Sequence, residues 1–163
     1  VIKTAVEEYF PTPVPFEVLH RLFWGYIEFM VDKFLMKRHA MEILSYLSAK
    51  HYNIGLISNV FHPSIVYKEL FTRWKIFDFF NPMLFSSDFP VKKPHPEIFR
   101  MAMNIYPDYL PEEFVFIGDT FDIDIIGAAR AGMIPVWLTS HNHTPDWPDL
   151  CIINDLEDIR SIL

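Results

Sequence analysis

The chain has 163 residues and a formal net charge of −7, with a pI near 5.4. That balance excludes a duplex nucleic-acid binder, which would present a basic face. Hydrophobic residues make up 51% of the chain, too many for a disordered tail and enough for one packed domain.

Every apolar run is broken by charge or proline well short of a bilayer span, so no membrane partner is expected. The single cysteine, Cys151, reads as a small core residue and points to a reducing, cytoplasmic compartment. The chain starts at Val1, in mid-pattern and without an initiator Met, and is expected to be a fragment.

Residues 16 to 35 lack proline, follow Pro13 and Pro15, and are unusually aromatic, which predicts one long helix or two short ones. Met41, Leu44 and Leu47 recur at helical spacing and predict an amphipathic helix over 38 to 50. The pattern then changes. Short apolar runs end abruptly at polar residues: 53–57 at Ser58-Asn59, 83–85 at Ser86-Ser87-Asp88, 114–117 at Gly118-Asp119-Thr120, 134–138 at Thr139-Ser140, and 151–153 at Asn154-Asp155. Helical stretches are expected between and after them, over 62–74, 96–105, 122–132 and 155–163. Short, wholly apolar strands alternating with helices predict an α/β fold, a Rossmann-like parallel sheet with helices on both faces.

In open parallel sheets ligands bind at the carboxyl ends of the strands, so the polar residues at those ends are the candidate site. Ser58 and Asn59 offer a hydroxyl and backbone N–H groups to an anionic oxygen. In VKKPHPEIF, Lys93 stands just before a helix started by Pro94 and Pro96 and supplies a point charge for phosphate oxygens; neighbouring Lys92 reads as solvated. In FIGDTFDIDIIGAARAGM, Gly118 permits a tight turn, and Asp119 and Asp124 straddle the next helix start. Two carboxylates there suit Mg²⁺, which takes one or two of them plus water and substrate oxygens. His62 reads as a loop residue, and His141-Asn142-His143 as a polar loop rather than a metal site.

In this order the three segments resemble motifs two, three and four of the haloacid dehalogenase superfamily, in its phosphatase-like branch. The resemblance implies that Ser58 binds a phosphoryl group, that Lys93 neutralises charge on nucleophile and phosphate, and that Asp119 with Asp124 binds Mg²⁺. It divides the chain into a helical cap segment at 1–36, incomplete, and an α/β core at 37–163. It implies a Mg²⁺-dependent phosphoric monoester hydrolase acting through an aspartyl-phosphate on a small phosphorylated metabolite. The alternatives are a non-catalytic binding or regulatory protein of the same fold, a phosphomutase, or a dehalogenase.

One departure stands out. The family's first motif, an apolar strand ending in DxDG(T/V) that supplies the nucleophile, is absent. Asp32, in FMVDKFL, is the only near candidate, and it lies in a helical pattern. In the family the missing strand runs between those ending here at Ser58 and Gly118, so the chain as printed is expected to be inactive and poorly stable alone.

Overall fold

In the computed structural model, residues 14–140 and 146–163 are described; His141-Asn142-His143, read above as a polar loop, and the first part of the expected cap segment lie outside them. The elements run in chain order as α1 (Phe16–Val31), α2 (Ala40–Ala49), β1 (Leu56–Ser58), α3 (Ser64–Arg73), β2 (Met83–Phe85), α4 (Pro96–Met103), β3 (Val115–Gly118), α5 (Ile126–Ala131), β4 (Ile134–Leu138) and β5 (Cys151–Ile153). The last helical stretch, expected over 155–163, is a 3-10 helix at Leu156–Ser161.

All strand pairs are parallel, as the alternation of strand and helix requires. They form two sheets, β1-β2 and β3-β4-β5. Among the described residues, one edge of β1 and one edge of β3 therefore carry no neighbouring strand. A cavity of about 580 Å³ is lined by both, including Leu56, Ile57, Val115 and Ile117.

Helices cover the strands from two sides. Ile43 and Leu47 of α2 and Ile159 of the 3-10 helix pack on Val136, Leu138 and Ile153. Ile98, Phe99 and Met103 of α4 and Ala128 and Ala131 of α5 pack on Ile57 and Leu84. The aromatic first helix ends at Val31 and buries Ile27 and Val31 against Val66 and Leu70 of α3, so its inward face is used in packing.

Two elements depart from simple periodicity. Asn53–Gly55 lie outside β1, although Ile54 O accepts from Asn81 N–H and Leu56 N–H donates to Pro82 O. The helix expected over 122–132 begins with a wide π-turn at Phe121–Ile125 before α5. Such turns are rare and frequent at functional sites, and this one carries Asp124, which is buried with Ile125.

Candidate active site

The carboxyl ends of the strands hold most of the residues singled out above. Ser58 is the last residue of β1, in register with Phe85 of β2, and is half-buried. The loop that follows is tied down at once. Asn59 Nδ2 donates to Lys93 O at 2.8 Å, and Lys93 N–H donates to Asn59 Oδ1 at 2.9 Å. Val60 N–H donates to Ser86 Oγ at 2.9 Å.

Lys93 stands in the turn before α4, whose first turn is started by Pro96 and capped by His95, with Nδ1 accepting from Glu97 N–H. The Lys93 ammonium lies 2.7 Å from Asp124 Oδ1, and both side chains are nearly closed to solvent, at 11% and 6%. The same ammonium stands 5.3 Å from the centre of the Phe116 ring. Lys92 is exposed.

Asp124 is held from its other oxygen. Its Oδ2 accepts from Asp119 N–H at 3.1 Å and Thr120 N–H at 3.0 Å. Its Oδ1 is buried and, apart from the charge of Lys93, has no aligned hydrogen-bond donor among the described residues. At that distance the two opposite charges form an ion pair.

Gly118 makes this approach possible. A Cβ there would sit 2.3 Å from Asp124 Cβ, so the glycine serves close packing of the carboxylate as well as the turn.

Asp119 faces outward. Its Oδ2 accepts from Lys37 Nζ at 3.1 Å, with side-chain exposures of 61% and 54%, and its Oδ1 accepts from Thr120 Oγ1 at 3.3 Å. Partial burial pushes its carboxyl up; the hydrogen bond and charge of Lys37, the Thr120 hydroxyl and the charge of Lys93 outweigh that and hold it below the usual carboxylate range. Lys37, from the segment joining α1 to α2, carries no motif signal, and spacing alone could not have placed it here. A second depression of about 480 Å³ opens beside Asp119, lined by Lys37, Thr120, Ser140 and Asn154 among others.

Asn59, Lys93, Asp124 and Asp119 thus form one continuous chain of contacts beginning next to Ser58. Asp32 is not part of it and caps the C-terminus of α1. His62 hydrogen-bonds through Nδ1 to the Tyr26 hydroxyl, between α1 and the loop after β1.

Asp119 and Asp124 are the two carboxylates that could share a hard divalent cation, which takes one or two such groups; here Asp124 Oδ1 is engaged by the Lys93 ammonium and Asp119 Oδ2 by that of Lys37.

The chain is similar to the glyceraldehyde 3-phosphate phosphatase of Pyrococcus furiosus, 34% identical over 116 residues, covering 69% of this chain and 47% of that protein. The enzyme of that name from Methanothermobacter thermautotrophicus is 30% identical over 149 residues, covering 85% and 65%. The chain spans about half to two thirds of the length of these curated relatives. A solved HAD phosphatase from Thermococcus onnurineus shares the fold, with a TM-score of 0.72 at 21% identity over 90% of this chain and 69% of that one. Residues 7–132 match the haloacid dehalogenase-like hydrolase family, and the chain belongs to it.

Proposed function

We propose that the protein is a Mg²⁺-dependent phosphoric monoester hydrolase acting on a small phosphorylated metabolite. Its attacking carboxylate would be carried on a strand seated in the cleft between β1 and β3. The observation that carries this reading is the Lys93–Asp124 pair, buried at the carboxyl ends of the strands with Asp119 beside it. A closed-off ammonium prepared by a carboxylate is suited to a substrate bearing negative charge, and two adjacent carboxylates are suited to a cation that shares it.

In this reading the Ser58 hydroxyl and the N–H groups after it hold phosphoryl oxygens. Lys93 neutralises charge between the attacking carboxylate and the phosphoryl group. Asp119 would hold Mg²⁺ directly and Asp124 directly or through water; the cation supplies positive charge against the phosphoryl oxygens. The carboxylate oxygen would bond to phosphorus as the ester P–O bond breaks, with the departing oxygen taking its proton from water; a second water would then add to that phosphorus, releasing inorganic phosphate and restoring the carboxylate. The cation-suited carboxylates favour attack on phosphorus over attack on carbon, which has no use for them. The names of the two archaeal relatives support a phosphorylated substrate.

The test is hydrolysis of a generic aryl phosphate, with and without Mg²⁺, by the chain supplied with a strand segment that fills that cleft. Turnover should require the cation, stop on chelation and fall by at least about a hundredfold in Asp119→Asn. Metal-independent turnover, or normal turnover in that variant, would show that Asp119 is not the metal ligand.

A further inference from the structure

Sequence position suggests Asn59 as a substrate contact, but the geometry points to a different task. We infer that Asn59 is a positioning residue: it clamps the backbone of Lys93 and thereby fixes where the lysine ammonium stands relative to Ser58. The inference rests on the phosphohydrolase reading for its purpose, though not for its geometry.

The carboxamide is engaged from both ends by one residue. Its Nδ2 donates to Lys93 O at 2.8 Å and its Oδ1 accepts from Lys93 N–H at 2.9 Å. The orientation is forced, since a backbone N–H can only donate and must face the oxygen, leaving the amide nitrogen for the carbonyl. Lys93 lies outside any helix or strand, so its backbone groups have no ladder to satisfy them, and Asn59 supplies both partners.

The lysine side chain is long and flexible, with about 2 kcal/mol of rotamer entropy to lose. It is held at two ends: the backbone by Asn59, and the ammonium by Asp124 at 2.7 Å, with the Phe116 ring 5.3 Å from that same ammonium. Only the first of these ties it to the loop that follows Ser58. Because Ser58 and Asn59 are adjacent, the clamp joins the backbone that carries the ammonium to the residue next to the hydroxyl.

A neighbouring bracket provides the control. Val60 and Ser86 exchange bonds at 2.9 and 3.4 Å, anchoring the same loop to the end of β2 without touching Lys93.

The experiment uses the intact protein labelled with ¹⁵N-lysine. The Lys93 ammonium signal, assigned through Lys93→Arg, is followed without ligand, and the affinity for inorganic phosphate is measured beside it. The native ammonium should give a solvent-protected signal. Asn59→Leu, close in size and without the amide, should lose that protection and bind phosphate on the order of tenfold more weakly. Its Tm should fall by no more than about 4 °C. Ser86→Ala should keep the protected signal.

Three results would overturn the inference. One is an unchanged Lys93 signal in Asn59→Leu with weakened phosphate binding, which would make Asn59 a direct contact. Another is equal loss of protection in Ser86→Ala, which would make the effect one of loop order in general. The third is a native ammonium without protection, since nothing would then be held. Failure of the native protein to bind phosphate, with the ammonium behaving as expected, would count against the phosphohydrolase reading and leave the clamp standing.

Discussion

The centre of the site is a buried ion pair, and its residues are unequal in what they can lose. Removing one partner of such a pair leaves the other charge without compensation, at about 3–5 kcal/mol. Lys93→Met should therefore destabilise the fold by about 3 kcal/mol or more, read by urea denaturation, because Asp124 would remain nine-tenths buried. Lys37–Asp119 is the opposite case. Both side chains are more than half exposed, and such pairs contribute about 0–1 kcal/mol. Lys37→Met should leave the melting temperature nearly unchanged. It should tighten binding of Mn²⁺, used as a probe cation, by a few-fold, since the ammonium and the metal compete for one carboxylate. Calorimetric titration distinguishes the two, and equal or weaker Mn²⁺ binding would show that Lys37 does not shield Asp119.

Among the elements, the strands ending in polar residues were legible because burial on both faces leaves an unbroken apolar signature, and β2, β4 and β5 follow their runs residue for residue. The three motif segments were legible for the same reason, each marking a strand end or a helix start. What periodicity could not carry were contacts decided by side-chain reach across the fold: the clamp of Asn59 on Lys93, the arrival of Lys37 at Asp119, and the burial of Asp124 against Lys93 from within a π-turn. The last helical stretch is a 3-10 helix, and its residues serve a joint. Asp155 accepts from Glu157 N–H at the start of the 3-10 helix and meets His39 Nδ1 at 2.6 Å, at the start of α2. The Glu157 N–H, then the His39 hydrogen bond, hold the Asp155 carboxyl below its usual range against a small opposing effect of desolvation, and the charges of His39 and Arg38 add to them. A carboxyl whose value is lower folded than unfolded contributes stability above its unfolded value, about 4, and loses it as pH falls through the folded value. Melting temperature should thus decline on acidification below about pH 4, and less steeply in Asp155→Asn. An identical acid profile in that variant would show that the joint does not depend on charge.

At the scale of the whole molecule, the two sheets face one another across a gap that backbone geometry makes specific. In a parallel strand successive peptide groups point alternately to the two sides. Leu56 N–H and Ile54 O turn toward the β2 side, and Phe114 O turns toward β4. The peptide groups of Ile57, Val115 and Ile117 consequently face the cavity between the sheets, where no strand of the described residues meets them. Buried peptide groups are almost always paired, and two strand edges facing across one apolar cavity are suited to a third strand lying parallel between them. Such a strand would bring its own carboxyl end beside Ser58 and Lys93, which is where an attacking carboxylate is needed. The 163-residue chain alone should then show fast amide exchange at Ile57, Val115 and Ile117, and no phosphatase turnover. Adding a strand segment ending in DxDGT, fused upstream or supplied as a peptide, should slow exchange at these three amides together and raise the melting temperature. With Mg²⁺ present it should also start hydrolysis of an aryl phosphate. Exchange already slow at all three in the chain alone would mean that the edges are satisfied without a further strand. In that case the attacking group must be sought among the carboxylates already present, and Asp32 would be the first to replace.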